Sequence, residues 1–174
     1  MQECIDVVMV IIYVDDLIIL ANRMSCMKAL KAMLESEYEM SDLEELHFCL
    51  GVEFVRDRVA RTITMSQGKY VVDVLKQFGM EDCKAVGTPL DMNSKLVKLS
   101  EEEYALESQS MIEIPYKQAV GSLMYAMIVT RPDLAYPISC VSQHMARLGS
   151  MHWIAVKRIM RYLKDICNIK LCND

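Results

Sequence analysis

One stretch constrains this chain more than any other. Residues 4–21 are almost unbroken apolar sequence, β-branched and aliphatic from Cys4 to Val14 and again from Leu17 to Ala21, with Asp15-Asp16 standing inside it. The length invites a membrane span, but two carboxylates near the centre of such a helix cost about 2.5 to 3.5 kcal/mol each. A transmembrane helix loses that comparison, and no membrane partner is expected. Two strands joined at the acidic pair fit the same letters, which predicts a β-hairpin with carboxylates at its tip. An unpaired buried charge is not tolerated, so these side chains must face solvent or a cation. Adjacent hard oxygen donors suit Mg²⁺. Aspartate is equally at home in a tight turn. On Tyr13-Val14-Asp15-Asp16 alone the two accounts stand level.

Ser25 then precedes Met27, Leu30, Met33 and Leu34 at helical spacing, which predicts a capped amphipathic helix to about Tyr38. Phe48, Leu50, Val52 and Phe54 alternate with His47, Cys49, Gly51 and Glu53. After a charged turn, Thr62 to Met65 alternates again, which predicts a second hairpin. From Ser66 a helix follows with Val71, Val74, Leu75 and Phe78 as its core stripe, and Gly79 stands where a left-handed C-terminal residue belongs. Thr88-Pro89 leads into Leu90 to Glu113, acidic and less regular, read as a surface linker. Pro115 fits the first turn of a helix reaching about Val129, which Thr130-Arg131-Pro132-Asp133 ends while starting another. Pro137 removes an N–H early in that helix, so regular structure is expected only from Ile138. Ser150 caps a last helix, with Trp153, Val156, Met160 and Leu163 on its buried side and Lys157, Arg161 and Lys164 beside them. The fold class expected is α+β, mixed in the first half and helical in the second.

With 53% hydrophobic residues against 25% charged, 174 residues support a folded core rather than disorder. Seven cysteines without a C-x-x-C pair favour neither a disulfide framework nor a closed zinc site, and point to a reducing, intracellular setting. No basic leader precedes a cleavable apolar segment, so a secretory signal is not expected. His47, His144 and His152 share no ligand spacing, and the fifteen methionines are read as core filler rather than copper ligands. The net charge of −5 argues against an isolated nucleic-acid-binding module. That charge is uneven: residues 131–174 hold seven basic and three acidic side chains, a balance of +4, which leaves −9 on residues 1–130.

Six blocks, taken in order, resemble a known family. Tyr13 to Leu20 reads Y-V-D-D-L-I-I-L. Ser41-Asp42-Leu43-Glu44-Glu45-Leu46 is followed by Leu50-Gly51-Val52-Glu53. Ser66-Gln67-Gly68-Lys69-Tyr70 is followed by Phe78-Gly79-Met80 and Thr88-Pro89-Leu90. Val120-Gly121-Ser122-Leu123-Met124-Tyr125, then Thr130-Arg131-Pro132-Asp133, then His152-Trp153 through Arg161-Tyr162-Leu163-Lys164 complete the set. Any one block is weak, but in this order the chain resembles, over nearly its whole length, the reverse transcriptase of copia-type LTR retrotransposons.

The resemblance implies the C-terminal part of a polymerase palm over residues 1–66, the start of a thumb over 67–90, a linker at 91–114 and a helical thumb or connection region over 115–174. It implies RNA-directed DNA polymerisation, in which a primer 3′-hydroxyl attacks the α-phosphate of a deoxynucleotide under two Mg²⁺ ions. The implied partners are an RNA or DNA template, its primer and deoxynucleotides. Asp15 matches the metal-binding carboxylate and Asp16 its partner. Leu50, Gly51 and Val52 match the hairpin that supports the primer terminus, where glycine lets a strand approach closely. Lys69, with Lys157, Arg158, Arg161 and Lys164, would meet template–primer phosphates. Plainer accounts exist for several of these: Lys69 as a solvated first-turn residue, Trp153 as helix packing, Arg131 as a cap on the preceding helix.

The chain also departs from the family. Glu44 stands where a glycine is usual, Pro137 where the helix is continuous, Leu148-Gly149-Ser150 for an N-P-G-like turn and Asp165-Ile166 for glycine-threonine. The family's other catalytic aspartate lies on an earlier palm strand and is expected upstream of this chain, with the RNase H domain downstream, so the chain alone is expected to be inactive. Three readings follow: a segment of a reverse transcriptase active in the full polyprotein, in a cytoplasmic particle or the nucleus; an inactive remnant that binds nucleic acid weakly; or a protein-interaction domain.

Overall fold

A computed structural model describes residues 5–91 and 96–173, which fall into two compact units divided between His47 and Phe48. In the first, strand β1 (Val8–Tyr13) pairs antiparallel with β2 (Asp16–Ala21), in register from Val8↔Ala21 to Tyr13↔Asp16. The hairpin expected from the apolar run is present, although Cys4 lies outside the described residues. Its turn is Val14-Asp15 rather than Asp15-Asp16, so Asp16 opens β2 opposite Tyr13. Asn22 ties the open end: it accepts from the Val7 N–H at 3.0 Å and donates to the Ile5 carbonyl at 2.8 Å. Helix α1 (Met24–Glu37) follows. Its N-cap is Arg23, ion-paired with Asp6 at 3.0 Å, and the expected cap Ser25 falls inside the first turn. No described residue of this unit is buried.

The second unit opens with β3 (Phe48–Cys49), β4 (Val52–Asp57) and β5 (Thr62–Ser66), which β6 (Leu171–Asn173) joins to make a four-stranded antiparallel sheet in the order β3-β4-β5-β6. The β4–β5 hairpin was expected; β6 was not. The alternating run from Phe48 to Phe54 is not one strand either. It breaks at Leu50-Gly51, whose φ values of +51° and +76° are the left-handed pair that a two-residue hairpin turn takes. That turn inverts the alternation: Phe48 pairs with Glu53 and stays 53% exposed, while Val52 pairs with Cys49 and is buried.

Helix α2 (Gly68–Gln77) ends as its sequence predicts, with Gly79 at φ +63° and the Met80 N–H returning to the Leu75 carbonyl at 2.7 Å. The segment read as less regular carries a helix, α3 (Glu101–Met111). Ser100 accepts from the Glu103 N–H at 3.2 Å and the Glu103 carboxylate accepts from the Ser100 N–H at 2.8 Å, a reciprocal cap. Residues 92–95 of that segment lie outside the described residues. Helix α4 (Tyr116–Val129) starts directly after Pro115, and Pro132–Leu134 form a single 3₁₀ turn before α5 (Ala135–Ser142). Pro137 sits in the first turn of α5, where its missing N–H has no intrahelical partner to lose, so the helix begins at Ala135 and not at Ile138. Helix α6 (Ser150–Asp165) is entered through Gly149, whose N–H donates to His152 Nδ1 at 3.0 Å; Ser150 is its first helical residue.

The core lies where α2, α4, α5 and α6 converge, with Leu123, Val141, Val156, Ile159 and Met160 fully enclosed. Each such side chain contributes about 1.5 to 3 kcal/mol by leaving water. The Tyr116 hydroxyl donates to the Val141 carbonyl at 2.7 Å, and burial pushes its phenol up to about 12. Trp153 packs against Tyr116 with ring centroids 6.4 Å apart, as its plainer account required. Among the described residues no helix is long and apolar enough to cross a membrane.

Candidate functional site

Asp15 and Asp16 are exposed at the closed end of the first hairpin. Neighbouring Val14 has φ +52°, a left-handed conformation that a β-branched residue rarely takes, so this turn is held against its own local preference. Adjacent exposed carboxylates are the donor chemistry of Mg²⁺, which takes one or two of them and keeps water or phosphate oxygens in its other positions. The pair fits that use. Among the described residues no cluster of three or more His, Cys, Asp or Glu side chains forms a fuller cage.

The other expected site residues lie in the second unit. Leu50 and Gly51 form the β3–β4 turn, and Val52 begins β4. The Tyr125 hydroxyl, from α4, donates to the Leu50 carbonyl. A Cβ placed on Gly51 would lie 3.6 Å from the Tyr70 ring of α2, so Gly51 rests on that ring. The two tyrosines meet edge to face, centroids 5.1 Å apart, and the Tyr70 hydroxyl donates to the Ser122 carbonyl at 3.1 Å. Lys69 is exposed, its ammonium 5.7 Å from the centre of the Phe48 ring, a cation–π pair at the same edge. The parity reversal at the turn is what brings Phe48 outward to meet it.

Three cations on the basic side of α6 are engaged within the protein itself. Arg158 donates to the Thr88 hydroxyl at 2.8 Å, Arg161 to the Lys84 carbonyl at 2.6 Å, and Lys164 to the carbonyls of Glu81 and Cys83. These cations clamp the connector after α2. Lys157 is half-buried on the same helix. Arg131 is buried and paired with Asp133, Nε to Oδ1 at 3.0 Å and Nη2 to Oδ2 at 2.6 Å, while Nη1 donates to the Ile166 carbonyl at 3.3 Å. It therefore caps the end of α6 rather than that of α4.

Residues 3–92 match the family described as reverse transcriptase (RNA-dependent DNA polymerase). The chain belongs to the reverse transcriptase family. It is 39% identical to the retrovirus-related Pol polyprotein from transposon TNT 1-94 of Nicotiana tabacum over 95% of its own length and 12% of that protein's. It is 33% identical to the corresponding polyprotein from transposon RE2 of Arabidopsis thaliana, over 94% of this chain and 11% of the relative. Transposon RE1 of the same plant gives 34% over 97% of this chain, again 11% of the relative. The chain thus spans about a tenth of the polyproteins it matches. No solved structure matches it.

For a reverse transcriptase-family chain, two departures and two blocks now have a physical reading. Glu44, where the family has glycine, sits at φ +66°, and its N–H donates to Asp42 Oδ1 at 2.9 Å. A left-handed turn residue explains the glycine preference. Gly149, in the altered N-P-G-like turn, lies close against α3 and its approach, since an added Cβ would come within 2.6 Å of Leu99 Cδ1 and 3.0 Å of Glu107 Oε2 and the leucine would have to move. The S-Q-G-K-Y and T-R-P-D blocks meet each other: Thr130 donates to Gln67 Oε1 at 2.7 Å in a buried joint, and Tyr162 donates to Asp133 at 3.0 Å. Sequence reading missed Tyr125 as a site residue. Its only signal was membership of the Val120 to Tyr125 block.

Proposed function

We propose that this chain supplies the C-terminal palm and the thumb or connection region of an RNA-directed DNA polymerase encoded by a copia-type retrotransposon. The observation that carries this reading is the β1–β2 hairpin in the Tyr13↔Asp16 register, which sets Asp15 and Asp16 side by side in solvent within the Y-V-D-D-L-I-I-L block. Asp15 and Asp16 would hold Mg²⁺, which when bound neutralises and aligns the phosphates of an incoming deoxynucleotide. The chain's own part is to fix those two carboxylates on a paired hairpin and to offer Leu50, Gly51 and Val52 to the primer terminus. Lys69 and Lys157 stand nearest to a phosphate-binding role, since Arg158, Arg161 and Lys164 are committed to the 81–88 connector. Template and primer belong to the full-length protein.

The test is primer extension on an RNA template with Mg²⁺ by the full polyprotein containing this chain, wild type against Asp15→Asn. Loss of at least about a hundredfold is expected, the scale of removing one charge-stabilising group. Equal extension by both proteins would refute the assignment.

A further inference from the structure

The β3–β4 turn places two consecutive residues in left-handed backbone, and one of them is Leu50, for which that conformation is uncommon. Burial does not hold it there, because Leu50 is 42% exposed. What holds it is a pair of tyrosines from behind. Tyr125 takes the Leu50 carbonyl, and the Tyr70 ring lies beside Gly51, where an added Cβ would meet it at 3.6 Å, an ordinary van der Waals contact. Both rings are anchored in the helical body: Tyr70 reaches the Ser122 carbonyl, and their neighbours Val71 and Leu123 belong to the enclosed core. Residues from two other blocks thus fix the conformation of a turn that leaves its own side chain largely in solvent. Strain kept in place by surroundings in this manner marks a surface whose shape is used.

We propose that Tyr125 and Tyr70 are positioning residues for the primer strand: by locking the Leu50-Gly51 turn to α4 and α2, they set where the primer's 3′ end rests. The inference rests on the reading of this turn as primer support. The tyrosines act only through the backbone they hold, so their removal affects recognition of the strand end and not contact with duplex in general.

The binding experiment uses the full polyprotein containing this chain with two probes of the same sequence, a template–primer with a recessed 3′ end and a blunt duplex, both followed by fluorescence anisotropy. In parallel, the amide resonances of Leu50, Gly51 and Val52 report the turn. The wild type is expected to prefer the recessed end. Tyr125→Phe keeps the ring and loses the hydroxyl; it should shift the turn resonances and reduce that preference about two- to tenfold, the scale of one hydrogen bond. Its affinity for blunt duplex should be unchanged. Tyr70→Phe should retain the preference in large part, and Tyr70→Leu should abolish it. If Tyr125→Phe moves the turn but keeps the full preference, the positioning role is wrong and the primer reading survives. If the wild type itself does not distinguish the two probes, the primer reading fails and the inference falls with it.

Discussion

The two units of this chain divide labour unequally. The first, ending at His47, carries the acidic pair and has no buried residue among those described; Ile12 is 70% exposed and Val14 81%. The second, from Phe48, encloses a core on four helices and holds none of the acids expected to bind metal. The acids proposed to bind metal and the enclosed core are therefore written in different stretches of sequence. A hairpin and one helix whose apolar side chains are at most partly buried offset less of the ordering entropy of their own backbone than the helical unit does. The general lesson is that a turn can be fully specified in register while the enclosed core of a chain lies in another stretch of its sequence.

The largest expected effect that would break this comparison concerns the core. Leu123→Ala should destabilise the second unit by about 2 to 5 kcal/mol, and Ile12→Ala in the first by less than about 0.5 kcal/mol, as read by denaturant unfolding. Comparable losses would mean the hairpin is buried in solution and the contrast is false.

A pH series sharpens the contrast further. His152 is fully enclosed, its Nδ1 accepting from Gly149 and its Nε2 donating to the Val97 carbonyl, so its ring is neutral. Burial holds its pKa below the usual histidine value of 6.5 against the opposing pulls of the Val97 carbonyl and Glu107. His144, stacked on it at 4.1 Å, is lowered by burial and by His152. A depressed histidine binds more protons unfolded than folded, so its contribution is whole above about pH 6.5 and is lost as pH falls below that. The midpoint of the second unit should drop between pH 7.5 and 5, and His152→Gln should flatten the dependence. A midpoint that rises on acidification would contradict the assigned tautomer.

A small stabilising effect is expected in the first unit. Glu44→Gly removes a side chain from left-handed backbone and should stabilise its turn by roughly 0.5 to 1 kcal/mol, seen as slower amide exchange around Asp42. Faster exchange would show that the Asp42 contact, not the backbone angle, governs this loop.

Much of this architecture was legible in the letters, and what was not has identifiable causes. The acidic hairpin announced itself because polar residues inside a β-branched run leave few alternatives. Helix α2 did so because its stripe and Gly79 agreed. Helix α3 was missed although Ser100 and Glu103 stood at capping-box spacing, since the acidic run around them read as solvated linker. The break at Leu50-Gly51 was hidden because Leu50 continued an apolar alternation that only the backbone interrupts. Of the candidate site, the acids and the glycine turn were visible as a motif. Arg158 meets a side chain far away in sequence, Thr88, and the destinations of Arg161 and Lys164 were not visible, because a main-chain carbonyl has no letter of its own.

That last point has a consequence for the connector itself. Arg161 and Lys164 grip the main chain at Glu81, Cys83 and Lys84, and main-chain atoms persist whatever side chain is attached. The route of this segment is thus stored in a neighbouring helix, leaving residues 81–84 free to change identity while the path they follow stays the same.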